Sequence, residues 1–295
     1  MKEWTMLKPI IAIVVAVTLS MLIALAGSNN SALFDGMPIF MLCASVGFVL
    51  HWLGFVPAYL FQTEHYFDLI GSISYVATVA LAVLLVPSPD ARGLVVASLI
   101  CVWAIRLGSF LFIRVKKAGQ DRRFTQIKTR FFRFLLTWTL GGTWVFITMA
   151  AGLAAMTSQT QAEIDAFFMI GVALWVGGFS IEVIADRQKT AFRNNPDNAE
   201  KFISSGLWSV SRHPNYFGEI ILWIGIAVIA LPVLAGWQWV TLVSPIFVSF
   251  LLLKVSGVPM LENNAESRWG NDPAFRKYKE NTPTLIPYFG KPDLG

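Results

Sequence analysis

"GLVVASLICVWAIRLGSFLFIR", residues 93–114, runs apolar from end to end with one ionisable side chain, Arg106, in its interior. A helix needs about 20 such residues to cross the hydrocarbon core of a bilayer. Strands of a membrane barrel alternate polar and apolar positions, which this stretch does not. It reads as a membrane-spanning helix, and the rest of the chain agrees. Of 295 residues, 55% are hydrophobic and only 14% are charged, against about 25% charged in soluble domains. Seven further apolar segments surround it, giving spans near 8–27, 38–61, 66–87, 93–114, 132–156, 164–185, 216–234 and 237–256. The run from Pro9 to Gly27 exceeds the apolar region of a signal peptide and has no clear small-residue cleavage site, so it reads as a retained first span. The predicted fold class is all-α, a polytopic helical membrane protein of about eight transmembrane helices. It forms one membrane domain over 1–295.

Basic residues orient these spans. Residues 114–133 hold eight Lys/Arg, 186–215 hold five and 254–295 hold six, whereas the loops on the opposite side hold only Arg92. Lys/Arg bias marks the cytoplasmic side, which predicts both termini in the cytoplasm. The net charge of +5 is then topology signalling and attraction to anionic lipid, and no nucleic-acid partner is expected. Cys43 and Cys101 both fall in apolar segments and read as packing residues; two cysteines cannot make a zinc framework.

Ionisable groups at membrane depth are costly and mark function by default. The third segment opens "TEHYFDLIGSISY", and on a helix Glu64, Asp68 and Tyr75 share one face. A carboxyl group near the hydrocarbon boundary tends to hold its proton, so Glu64 or Asp68, with Tyr75, is a candidate donor to a substrate carbonyl. Arg106 needs a buried carboxylate or an anion, with Asp68 as one partner to consider. His51, alone among apolar residues, reads as a satisfied core histidine. The sixth segment ends "FSIEVIADRQKTAFRNNPDN", with Glu182 and Asp186 one turn apart, followed by Arg187, Lys189, Arg193 and Asn195.

The stretch "SGLWSVSRHPNYFGEI", residues 205–220, precedes the seventh span. Gly206 permits a tight turn, Pro214 ends any preceding helix, and Asn215 is expected to cap the span with Glu219 one turn below it. Arg212 and His213 stand just before a helix N-terminus, where anions are favoured. Such a start suits a phosphate or carboxylate.

With the later stretch "SGVPMLENNAESRWGNDPAFRKYKENTPTLIP", this pattern resembles the C-terminal half of the steroid 5-alpha-reductase-like membrane proteins, in particular their bacterial DUF1295 branch. The likeness covers roughly residues 160–290 well and residues 60–130 more loosely. RHPNY followed by Gly-Glu is shared with sterol reductases and isoprenylcysteine methyltransferases, so it marks the superfamily rather than one reaction. The resemblance implies a bacterial inner-membrane protein whose region 160–290 binds a cofactor. Asp186 and Arg193 match an NADPH-binding Asp and Arg of the steroid reductases; Gly206, Leu207 and Trp208 match a Gly-Leu-Phe turn. Asn215, Gly218 and Glu219 match an Asn-x-x-Gly-Glu element, which also brings in Tyr216. Glu64 or Asp68 is the counterpart of a carbonyl-polarising glutamate. Trp103 stands where that family carries a Tyr, so Tyr75 or Tyr66 would substitute.

Two cofactors compete. NADPH brings phosphates that suit Arg187, Lys189, Arg193, Arg212 and His213. S-adenosylmethionine carries a sulfonium that suits carboxylates and aromatic rings, and Glu262 with Glu266 resembles paired acids of the methyltransferase tails. The balance predicts an NADPH-dependent reductase of a lipophilic enone in contact with membrane lipid, with the methyltransferase second and a non-catalytic lipid-binding protein third. Oligomeric state is left open.

Overall fold

The computed structural model describes residues 2–119, 124–288 and 290. Helices α1 (Lys2–Gly27), α2 (Ile39–Leu60), α3 (Phe67–Leu85), α4 (Ala91–Ala118), α5 (Phe131–Thr157), α6 (Ala166–Asn194) and α7 (Pro214–Ala230) follow one another. The chain then forms a 3-10 turn (Gly236–Leu242), α8 (Val243–Phe250), a π-helical stretch (Leu251–Val255), α9 (Val258–Trp269) and α10 (Pro273–Asn281). A two-stranded hairpin, Leu33–Phe34 with Met37–Pro38, separates α1 from α2. Among the described residues, eight helical segments are long and apolar enough to cross a membrane. Their outward side chains agree: Leu84 is 81% exposed and Leu60 70%, an apolar surface suited to lipid. The protein is an all-α multi-pass membrane protein.

The chain divides into two compact units, Met1–Met169 with Ala227–Ser244, and Ile170–Ile226 with Pro245–Gly295. In the first, α5 is the central helix, packed on α1, α2, α3 and α4 and buried at every position from Val145 to Thr157. Three of its buried threonines are tolerated because their hydroxyls return to their own helix: Thr139 donates to Leu135 O, Thr143 to Thr139 O and Thr157 to Leu153 O. α4 begins where the Asp90 carboxylate accepts from Gly93 N at 2.7 Å and ends at Gly119, whose φ of 77° closes the helix in the left-handed region.

In the second unit, α6 and α7 cross at Gly178 and Gly218. A Cβ on either would fall 2.5 Å from the other's carbonyl oxygen, so only glycine allows the backbones this close.

Three local expectations are corrected. Glu64 is not on the third helix. The chain reverses between Leu60 and Phe67, with Gln62 at φ 50°, so Glu64 falls in the turn, where its carbonyl accepts from Phe67 N at the start of the helix. Asn215 does not cap α7. The helix begins at Pro214, whose fixed φ and missing N–H suit the first helical position, and the His213 carbonyl takes the first intrahelical bond, from Phe217 N. The eighth span is not one α-helix, because 3-10 and π-helical turns flank α8.

Candidate functional site

α6 continues well past its apolar run. No proline or glycine interrupts "DRQKTAFRN", so the helix persists to Asn194, where Asn195 then caps the 3-10 turn Pro196–Asn198 through Asp197 N. Asp186, Arg187, Lys189 and Arg193 therefore stand on the last turns of one helix. Asp186 is buried; Arg187, Arg193 and Asn195 are exposed. Glu182, one turn before Asp186, is buried as well.

The turn at 206–213 docks on this helix end. Gly206 takes φ 62°, and Leu207 N donates to Gln188 Oε1 at 2.9 Å. Trp208 is buried, donates from Nε1 to the Ala185 carbonyl at 3.0 Å, and carries the Lys189 ammonium 4.3 Å above its ring. Asn215, in the first turn of α7, donates from Nδ2 to Asp186 Oδ1 at 3.3 Å. Glu219, one turn on, is buried.

Arg212 and His213 share one carboxylate. Arg212 Nη1 lies 2.7 Å from Glu262 Oε2, and His213 Nε2 lies 2.8 Å from Glu262 Oε1. Tyr216 stacks on the His213 ring at 5.6 Å and 9°. Burial is the largest influence on His213 and lowers its proton affinity; the Lys189 and Arg212 charges add to that, while Glu262 opposes it. The ring is thus neutral at neutral pH, and because a carboxylate only accepts, Nε2 carries the proton. Nδ1 is left as a buried acceptor without a hydrogen-bond partner among the described residues, and so is Asn215 Oδ1. The anion that Arg212 and His213 hold in the protein is Glu262. Glu266, its neighbour in sequence, instead meets Lys279 at 2.6 Å.

The sequence-derived cofactor residues thus all belong to the second unit, where Asp186 meets Asn215 and Arg212 and His213 meet Glu262, while Glu64, Asp68 and Tyr75 belong to the first. There, the buried Glu64 meets Lys128 Nζ at 2.8 Å. Asp68 and Tyr75 lie on α3, and Tyr75 is buried edge-on against Trp103, 5.2 Å between ring centroids at 88°. Tyr66 donates its hydroxyl to the Gly54 carbonyl. Arg106 lies over Phe110, 5.3 Å from the ring centre. His51 is a core histidine whose Nδ1 is 2.7 Å from the Gly47 carbonyl.

Residues that sequence reasoning passed over surround the Arg212 turn. Thr284 accepts from Arg212 Nη2 at 2.6 Å, and Tyr278 donates its hydroxyl to the Trp208 carbonyl at 2.6 Å. No local pattern flags a threonine in a tail; only contact reveals it.

Residues 54–282 match the family described as protein of unknown function (DUF1295). The chain is 34% identical over 73 residues to a steroid 5-alpha-reductase of Gossypium hirsutum, which covers 25% of this chain and 26% of that one. It is 36% identical over 74 residues, at the same coverage, to the 3-oxo-5-alpha-steroid 4-dehydrogenase 1 of Homo sapiens. Against the Rattus norvegicus protein of that name, identity is 27% over 121 residues, 41% of each chain. The matches thus span between about a quarter and two-fifths of these curated relatives' length. No solved structure matches the chain.

Proposed function

Since this chain belongs to the DUF1295 family and is similar in part to enzymes named for steroid reduction, we propose that it is an NADPH-dependent reductase of a carbon–carbon double bond conjugated to a carbonyl in a lipophilic substrate. The observation that carries this reading is the joining of Asp186 to Asn215 at 3.3 Å, beside the basic last turns of α6. That combination offers cations to phosphates and acceptors to hydroxyls and amides. The two orphaned acceptors, His213 Nδ1 and Asn215 Oδ1, fit a ligand bringing ribose hydroxyls or a carboxamide. Arg187 and Arg193 would meet its phosphates, with the donors that Glu262 and Thr284 leave free on Arg212, among them the buried Nε that has no partner among the described residues. Asp186 and Glu219 would meet its donors. Bound there, the nucleotide would supply a hydride for the β-carbon of the enone.

The chain's own task is to stabilise the charge that develops on the carbonyl oxygen. We assign this to Asp68 with Tyr75, which share α3, rather than to Glu64, which lies in the turn and is engaged by Lys128. A methyltransferase reading loses its main support: Glu262 and Glu266, the acids that would face a sulfonium, each hold a cation of the chain itself. The basic loops support a cytoplasmic site in a bacterial inner membrane.

Titration of the detergent-solubilised protein with NADPH and with S-adenosylmethionine tests the assignment. Saturable NADPH binding, weakened in Arg193→Ala and Asn215→Ala without loss of folding, is the expected outcome. Saturable binding of S-adenosylmethionine alone overturns it.

A further inference from the structure

Arg212 is held from two sides by parts of the chain far from it in sequence. A guanidinium has five donors in a rigid plane. Glu262, on α9, takes one from Nη1, and Thr284, in the C-terminal segment, takes one from Nη2 at 2.6 Å. Two contacts on different nitrogens fix the plane as well as the position.

Thr284 is itself held in register. The residue before it, Pro283, accepts from Arg212 N at 2.9 Å, and the residue after it, Leu285, accepts from Ser211 Oγ at 2.7 Å. Further along, Tyr288 N donates to the Val210 carbonyl at 3.0 Å. The segment 283–288 therefore runs antiparallel to 210–212, with both of Thr284's neighbours bonded to the residues that carry the arginine. Threonine also suits the post, because branching at Cβ leaves its hydroxyl few directions to point.

An unrestrained arginine loses much rotamer freedom when it grips a ligand. One already held in plane does not, and binds more tightly for that reason. We propose that Thr284 is a positioning residue of the nucleotide site: it acts through Arg212, and the C-terminal segment is thereby a working part of that site. This rests on the NADPH reading above.

The test is a double-mutant cycle on the full chain, read by NADPH affinity and by thermal unfolding. Thr284→Val keeps the shape and removes the acceptor; it weakens NADPH binding about tenfold, the scale of one hydrogen bond to a charged group. Thr284→Ser restores the affinity. In an Arg212→Gln background, Thr284→Val has no further effect, since its only route is closed. Equal weakening in both backgrounds overturns the proposal, as does a Thr284→Val protein that unfolds earlier yet binds NADPH like the wild type. Failure of the wild type to bind NADPH overturns the site reading and this inference together, whereas the other two results leave the site reading standing.

Discussion

Arg92 is fully buried, and its Nη1 donates to the carbonyl of Ile229 at 2.7 Å across 137 residues of chain. Its Nη2 reaches the Glu163 carbonyl at 2.6 Å and the Asp165 carboxylate at 3.1 Å. Asp165 in turn caps the start of α6 by accepting from Phe168 N. That backbone bond first, and Arg92 after it, hold the Asp165 carboxyl below its usual range. One guanidinium thus ties the first turn of α4 to the end of α7 and the start of α6.

Arg92→Met should therefore destabilise the protein by about 2 kcal/mol or more, because the buried Ile229 carbonyl loses its donor. Arg92→Lys should recover less than half of the loss, since a single ammonium nitrogen cannot reach acceptors that Nη1 and Nη2 meet separately. Thermal unfolding in detergent reads both, and an unchanged midpoint in Arg92→Met contradicts the assignment.

The Glu64–Lys128 ion pair at 2.8 Å is predicted to be structural. Lys128→Met removes the ammonium from a buried carboxylate and should cost about 3 kcal/mol. The double variant Glu64→Gln with Lys128→Met should regain most of that. If the double variant is no more stable than the single one, the pair is not what holds this turn.

Asp68→Asn and Tyr75→Phe should each lower turnover on an enone by about 10²–10³, with NADPH affinity nearly unchanged. Carbonyl stabilisation and nucleotide binding are assigned to different residues, so their losses should separate. Full turnover in both variants would remove α3 from the chemistry.

His213 makes stability depend on pH in a defined direction. Burial lowers its proton affinity in the folded protein, so the unfolded chain binds the extra proton at a higher pH. Its contribution to stability is present above the ordinary histidine value of 6.5 and is lost as pH falls through the lowered one. The unfolding midpoint, followed from about pH 8 down to about pH 5, should fall less steeply in His213→Gln than in the wild type. Parallel curves would show that the ring does not titrate out of its folded setting.

Single cysteines at Asn29 and Ser158 should react with an impermeant reagent added to intact cells, whereas those at Lys128 and Asp197 should be protected. Labelling of Asp197→Cys from outside would reverse the topology.

Much of this could be read from the sequence alone. Apolar length announces a membrane span wherever it occurs, because a bilayer sets one thickness for all of them; the start of α7 was less legible, since Asn215 reads as its cap and the helix begins one residue earlier, at Pro214. The residue types at 186, 193 and 215 marked one end of two helices as chemically unusual. Hydrophobicity, however, marks where the membrane ends rather than where the helix ends, so the final turns of α6, which carry Asp186 and Arg193, were invisible to it. Nor could any local pattern settle which partner each charge takes. Arg212 meets Glu262 across 50 positions and Thr284 across 72, and Glu64 meets Lys128 across 64. Those choices depend on how distant helices and the C-terminal segment close around one another, a long-range cost that short-range propensities do not encode. The sequence by itself determined an all-α membrane protein with a polar, basic end. Tertiary structure decided that Glu262 and Thr284 grip Arg212, because only folding brings three segments so far apart in the chain within hydrogen-bonding distance.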